Sequence, residues 1–585
     1  MHFAAQCLVI ALLASTAVFA ADSDEKPKGY RFPMNPHKTI SRQSGLEGSK
    51  RSFLKSNGTT LPSKWDSRDK GWITPVRKQT PFNTCWAFAS YATLETQLLK
   101  AERGEYDFSE KNMANLHGFE TSLNEGGIYD MAAAYLLRWG GAIAESNDVY
   151  QNSAWTQSPT YTPAIHVQNA VWIPVRQSLT DNDTLKAAIT NYGAVAISML
   201  WSDALEQNDA YYYAGSDIAN HAVAVIGWDD DYEASNFRKT PPGKGAWLIK
   251  NSWGDSRGGK GYYFVSYYDS KFAMEEDGVV FIPATADENY TAVYGHDKLG
   301  RAGDYADDSD LEAAVFTSAW NEEIAAIGAY SFLESQDYSI SIYTNVSKGA
   351  NSPISGGTLA YSQDGSLAHA GYATIHLEKP VRLADGTTFA VVYRQKGGAN
   401  KHAMNYSCYG YSICNHYAGE TFLGKSLSGT WEDATGVTGL SWQSSGAKPC
   451  VCLKAYTRST VPASDGPEET DSGKRMSDEL KTSNATLYAE TGETFGAFAN
   501  LVGANGRTLW SSWLAGFDPA DKNDNKLVVD ISVTNNVPYL SWTPNLGADR
   551  SYRIWGSETL EEENWLEVND LKTTDAKFFK VTVEQ

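Results

Sequence analysis

Cysteine is scarce in this chain. There are six in 585 residues, and between Cys7 and Cys408 the sequence holds Cys85 alone. A thiol so isolated has no partner for a disulfide within its own domain. Positive charge is also short, with 49 Lys and Arg against 70 Asp and Glu and a formal net charge of -21. That deficit argues against nucleic acid or an anionic membrane as the main partner. Long apolar runs are missing as well. The stretch from Cys7 to Ala21 is too short to cross a bilayer, and no later stretch approaches the length a spanning helix needs.

What is present fits a folded, multidomain protein. Hydrophobic residues make up 42% and aromatics 12% of the chain, a composition able to build cores. The length implies roughly three or four domains. The Cys7–Ala21 run suits the apolar core of an export signal, and Val18-Phe19-Ala20 places small residues for cleavage after Ala20. The six residues before it lack Lys and Arg, a departure from the usual pattern. The expected product is secreted, periplasmic or held at a cell surface. Cys408, Cys414, Cys450 and Cys452 cluster late in the chain, and an oxidising environment would let them form two disulfides in any of three pairings. Zinc is the competing reading, but C-x5-C followed by C-x-C is a poor match to structural zinc spacings.

Texture divides the chain further. Residues 1–20 read as the signal peptide and 21–60, polar and rich in Lys, Ser, Gly and Pro, as a short pro-segment or linker. Residues 61–285 have a helical first half and a strand-rich second half. After Cys85, apolar residues including Trp86, Ala89, Ala92 and Leu99 recur at helical spacing until Gly104. Strand-like runs follow at A-V-A-I-S-M-L, H-A-V-A-V-I-G-W, A-W-L-I-K and Y-Y-F-V-S-Y-Y. Residues 288–458 break into short β-like runs such as Y-S-I-S-I-Y-T, T-F-A-V-V-Y and V-C-L-K-A-Y, the pattern of a sandwich. Residues 459–484 form a linker, and 485–585 a second β-domain with K-L-V-V-D-I-S-V, Y-L-S-W, Y-R-I-W and F-F-K-V-T-V. The fold class expected is multidomain α+β. The acidic loop Asp518–Asp524 lacks the regular spacing of a calcium loop and reads as a solvated turn; no metal or cofactor is expected. Six N-x-S/T sequons, at Asn57, Asn182, Asn289, Asn345, Asn405 and Asn484, matter only in a glycosylating host.

The chemistry gathers around Cys85. A thiol attacks a carbonyl as thiolate, so it needs a proton acceptor and a favourable field. The first turn of a helix supplies a partial positive charge. His221, at the head of an apolar run, is a candidate acceptor. Asn251, in N-S-W-G, can accept the imidazole N–H and orient the ring, and Trp253 is placed to shield that bond. A tetrahedral intermediate needs two donors for its oxyanion, which the backbone N–H of Cys85 and the side-chain amide of Gln79 would provide. Taken singly, these residues are ordinary: a small buried hydrophobe, a core histidine, two structural amides. Only their joint pattern carries the reading.

Those residues resemble the papain-like cysteine peptidases. The matching strings are L-P-S-K-W-D-S-R-D-K-G-W-I-T-P-V from Leu61, Q-T-P-F-N-T-C-W from Gln79, N-H-A-V-A-V-I-G-W from Asn220 and K-N-S-W-G from Lys250. The resemblance covers about residues 61–275. It implies a helical half facing a β-barrel-like half, with Cys85 as nucleophile, His221 as general base and acid, Asn251 as orienter and Gln79 as oxyanion donor. It also implies that the backbone of Gly126 and Gly127 holds substrate in an extended pose, with a plain turn as the less favoured alternative, since Gly pairs mark turns anyway. Asn220, Trp86 and Trp253 complete the expected substrate-binding set. Phe82 stands where the family has a cysteine three residues before its nucleophile, so the domain lacks the family's common disulfides. The pro-segment is shorter than many relatives' prodomains, which leaves the quieting of a zymogen without an obvious device.

Residues 288–458 resemble the lectin-like β-domain that follows papain-like domains in bacterial surface proteases, through A-A-V-F at Ala313, Y-S-I-S-I-Y-T, G-E-T-F before Trp431 and the closing V-C-L-K-A-Y-T. The last hundred residues look like C-terminal β-modules of bacterial secreted proteins. The implied protein is a secreted endopeptidase acting on peptides and proteins through a thioester, with a cell-surface or glycan ligand for its β-domains. Two other classes compete: a cell-wall peptide amidase on a similar scaffold, and a non-enzymatic adhesin.

Overall fold

The computed structural model describes residues 61–459 except 122–124, 151–156, 286–287, 289, 320, 350 and 398–399, together with five strands between 528 and 584. The expected signal peptide, the pro-segment, nearly all of the 459–484 linker, the Asp518–Asp524 loop and the sequons at Asn57, Asn289 and Asn484 lie outside the described residues.

The first half of residues 61–285 is helical. Cys85–Lys100 forms its central helix, flanked by Glu110–Leu116 and Tyr129–Leu137. The central helix is buried on nearly every side, because it is wedged between the other helices and a sheet. It ends at Lys100, short of Gly104, where Glu102 takes a left-handed backbone (φ 56°). The helix Glu110–Leu116 is opened by Ser109, whose hydroxyl accepts from the Asn112 N–H at 3.0 Å, an N-cap that satisfies an orphan donor.

The second half is a sheet that runs, in spatial order, through Val167–Ile173, Gly278–Pro283, Val195–Met199, His221–Asp229, Ala246–Lys250 and Tyr262–Ser266. The apolar runs recognised in sequence supply the last four of these strands, and Val195–Met199, His221–Asp229 and Ala246–Lys250 are buried on both faces. Met199 pairs with His221 and Ala224 with Lys250, so the sheet carries His221 and the residue before Asn251 on adjacent strands. One buried polar chain ties this sheet to the central helix: Lys250 donates to the Thr74 hydroxyl at 2.8 Å, and Thr74 donates to Glu95 on the helix. Burial favours the neutral forms, pushing the Glu95 carboxyl up and the Lys250 ammonium down.

Residues 292–459 form a sandwich. Four strands, Ala292–Gly295, Lys454–Ser459, Glu322–Ser331 and Gly371–Leu383, extend the sheet of residues 167–283, joined where Gly371 and Tyr372 pair with Val171 and Ala170. The opposing sheet has six strands in the order Thr358–Leu367, Gln336–Thr344, Thr388–Lys396, Leu311–Thr317, Thr421–Gly424 and Trp431–Asp433. The run V-C-L-K-A-Y is broken: Cys450–Val451 and Lys454–Ser459 are separate strands in different sheets. Near the C-terminus Val528–Thr534 pairs with Val537–Thr543, and Ser551–Ser557 pairs with Phe578–Glu584. The architecture is multidomain α+β. Among the described residues no helix is long and apolar enough to cross a membrane.

Candidate active site

Cys85 is the first residue of its helix, and Thr84 before it makes no side-chain cap. The Thr84 hydroxyl instead meets the Tyr150 hydroxyl at 2.7 Å. Ala87 N–H donates to Thr84 O at 2.9 Å, and the earlier N–H groups of Cys85 and Trp86, at the end of the helix where intrahelical acceptors are lacking, act on the sulfur. Backbone N–H groups of Ala222, Trp86 and Cys85 itself all act to stabilise a thiolate. They do not win. Burial is the largest influence and pushes the thiol up to about 11, so the helix field alone does not bring the thiol down.

His221 opens the strand His221–Asp229, which sets Ala222 N–H, and hence the histidine backbone, beside the sulfur. Its Nε2 lies 2.8 Å from Asn251 Oδ1. That oxygen also accepts from the Ser252 N–H at 2.8 Å, which fixes it as an acceptor and puts the ring proton on Nε2. Nδ1 is then the basic nitrogen. The ring stacks on Trp253 at 4.7 Å between centroids and 19° between planes. Burial lowers the imidazole to about 4, opposed by the bond to Asn251. Burial thus opposes the charged form of each group taken by itself.

Gln79 is buried and held at both ends. Its side-chain oxygen accepts from the Ser252 hydroxyl at 2.6 Å, and Nε2 donates to Phe82 O at 2.9 Å. The second hydrogen of that amide remains to be donated. The Gln79 N–H donates to Ser252 O at 2.8 Å, so segments 173 residues apart are clasped by two bonds through one serine.

The match to a family model for the papain family of cysteine proteases spans residues 61–281, and a lectin-like domain model matches residues 293–457. Mouse cathepsin K is 30% identical over 246 residues, covering 39% of this chain and 69% of the relative. The chain belongs to the papain family of cysteine peptidases. The Aedes aegypti cathepsin L-like peptidase is 27% identical over 220 residues, 36% of this chain and 60% of that protein; the chain thus spans about three fifths of that curated relative. Two solved structures share the fold across both domains. The clostridial cysteine protease Cwp84 after propeptide cleavage superposes with a TM-score of 0.59 at 24% identity, covering 68% of this chain and 100% of that one. The cysteine protease and lectin-like domains of Cwp84, a surface layer associated protein of Clostridium difficile, give 0.58 at 23%, covering 69% and 90%.

Within this papain-family peptidase the expected substrate-binding residues divide. Gly127 lies flat against the Trp86 indole: a Cβ there would stand 2.4 Å from Cε2 and Nε1. Gly126 adopts φ 80°, a conformation that glycine tolerates freely. Trp86 itself is 2% exposed. It is a platform beneath Gly127, and its expected direct contact with substrate is corrected by that burial. Asn220 clamps the Trp201 backbone, accepting from its N–H at 2.8 Å and donating to its carbonyl at 3.1 Å; its side chain serves the loop. Trp201, overlooked in sequence, packs edge-on to Trp253 at 4.9 Å and to His221 at 6.3 Å. No motif marks it, since a tryptophan after an apolar run reads as core.

The disulfide expectation is also corrected. Cys408, Cys414, Cys450 and Cys452 are free thiols, as is Cys85. Cys408, Cys450 and Cys452 are buried and pack as small apolar groups. Among the described residues no cluster of His, Cys, Asp or Glu is arranged to hold a metal.

Proposed function

We propose that the protein is an exported cysteine endopeptidase with Cys85 as nucleophile. The carrying observation is the oriented imidazole: Nε2 committed to Asn251 at 2.8 Å, with the remaining ring nitrogen free to take the thiol proton. Transfer of that proton from Sγ to Nδ1 creates opposite charges side by side, each relieving the cost of burying the other. The thiolate attacks the scissile carbonyl carbon, and the C=O π pair moves onto oxygen. The Cys85 N–H and the spare Gln79 amide hydrogen receive that oxyanion. Its collapse breaks the C–N bond as His221 protonates the leaving amine, and a thioester remains. His221 then takes a proton from water, hydroxide adds to the thioester, the C–S bond breaks and the acid departs with Cys85 re-protonated.

The apolar leader and the fold shared with a surface-associated clostridial protease support an extracellular site of action, with the lectin-like domain meeting a cell-surface or glycan group. A solved relative described as propeptide-cleaved supports processing of the segment before residue 62. The test is hydrolysis of peptide substrates and labelling by an epoxide thiol inhibitor, beside Cys85→Ala. Cleavage and labelling are expected for the wild type, with a loss of at least about 10^4-fold in the variant. Equal hydrolysis by the variant overturns the mechanism. Absence of both cleavage and labelling in the wild type leaves the adhesin reading.

A further inference from the structure

A small cavity of about 20 Å³ lies between the central helix and the sheet, bordered by Arg77, Ala92, Glu95, Glu110, Lys250 and Asn251. A single water needs roughly 10–15 Å³ of such space, so the cavity has room for one and none for a substrate side chain. Its polar walls are themselves buried: Glu95, Glu110, Lys250 and Asn251 are each less than a tenth exposed.

Asn251 brings an uncommitted donor to this wall. Its Oδ1 serves both His221 Nε2 and the Ser252 N–H, each at 2.8 Å. Its Nδ2 is buried and has no hydrogen-bond partner among the described residues. That nitrogen carries two N–H donors, and a buried polar group almost always finds a partner. The cavity is where one fits. Its occupant must accept from an amide N–H while meeting carboxyl groups. A cation is opposed by that N–H and by Lys250 and Arg77, and an anion by the two glutamates. A water satisfies both sides, accepting from Nδ2 and donating to a carboxyl. Glu95 already receives the Thr74 hydroxyl at 2.5 Å and the Phe108 N–H at 3.4 Å, which leaves Glu110 as the carboxyl with capacity to spare.

Resting on the assignment of Asn251 as orienter, we infer that this cavity binds one water that bridges Asn251 Nδ2 to the Glu110 carboxyl, and that Glu110 is thereby a positioning residue for the His221 imidazole. The bridge anchors the amide at its second end. A water-mediated bond is nearly as good enthalpically as a direct one. Without it, rotation of the amide can bring Nδ2 against the His221 Nε2–H, donor to donor, and the ring loses the bond that orients it.

The test starts with a high-resolution crystal structure of the full chain. An ordered water within hydrogen-bonding distance of both Asn251 Nδ2 and a Glu110 oxygen is expected; an empty cavity, or a water that touches only one of them, overturns the inference. Glu110→Leu should lower kcat about tenfold at unchanged KM, the equivalent of one lost hydrogen bond. Glu110→Gln keeps an acceptor oxygen and should recover most of that loss. Should Glu110→Leu fail to fold, Ala92→Val fills the cavity from the helix with Glu110 intact and should lower kcat in the same way, with thermal unfolding checked in parallel. The proton on His221 Nε2, followed by NMR, should exchange with solvent faster in both depleted variants; a purely structural role for Glu110 would leave it unmoved. Unchanged kcat and exchange in the folded variants, or a loss in Glu110→Gln as large as in Glu110→Leu, overturns the positioning role. An active wild type with an empty cavity loses this inference alone. A wild type that neither cleaves nor labels at Cys85 sinks the catalytic reading and the positioning role with it, even where the water is seen.

Discussion

Gly127 and Trp86 are in such close contact that any Cβ at residue 127 would overlap the indole at 2.4 Å. The tryptophan that follows the nucleophile is thus a floor, and the glycine backbone lies on it. Gly127→Ala should push the loop off this floor. Overpacking of this kind costs about 1–3 kcal/mol. Because the loop is expected to bind substrate, the loss should show as a raised KM, read by steady-state kinetics with an extended peptide.

Ser252 positions Gln79 from far along the chain, its hydroxyl 2.6 Å from the Gln79 side-chain oxygen. Ser252→Ala should leave that amide free to rotate and lower kcat by about tenfold, while Gln79→Ala should cost about 10^2–10^3-fold, the range for losing one oxyanion donor. Both losses belong in kcat, since the oxyanion forms only after attack.

Trp253 covers one face of the His221 imidazole, and burial is what lowers that ring to about 4. The acid limb of kcat/KM should therefore lie near pH 4. Trp253→Ala admits water, stabilises the imidazolium and should move the limb up toward about 6.5, the value of an unperturbed histidine. A pH–rate profile of both proteins decides the point, with unfolding monitored at the acid end.

His402, in the lectin-like domain, has the opposite sign. Burial lowers it, but hydrogen bonds to Asp307 and Glu312 outweigh that and raise it from 6.5 to about 9. Its Nδ1 is 2.8 Å from Glu312 Oε1 and its Nε2 3.0 Å from the Ser309 hydroxyl. A histidine raised in the folded state contributes its full stability below pH 6.5 and loses it as pH rises through about 9. For a fully buried ring this shift corresponds to about 3 kcal/mol. The difference in denaturation midpoint between wild type and His402→Gln should accordingly shrink between pH 6.5 and 9.5.

Local pattern carried much of this. The apolar runs at Ala194, His221, Ala246 and Tyr262 became strands because β-branched and aromatic residues with buried faces suit a pleated sheet wherever it sits. The helix after Cys85 was legible from its spacing. The break in V-C-L-K-A-Y was not, since no residue in it marks a change of sheet. Nor were the free cysteines: an exported chain with four clustered thiols suggests disulfides, but pairing depends on where the sulfurs lie.

The sequence by itself determined which groups could do the chemistry. Cys85, His221, Asn251 and Gln79 stand in an order and context that their side-chain types make meaningful, and nothing about folding can supply a thiol or an imidazole where none is encoded. Only the tertiary structure decided their working state. Burial raised the thiol against the field of the helix and lowered the imidazole, Ser252 clasped Gln79 across 173 residues, and Tyr411 of another domain packed on Phe119. Desolvation and long-range contact depend on what surrounds a residue in space, which is absent from any local run of letters.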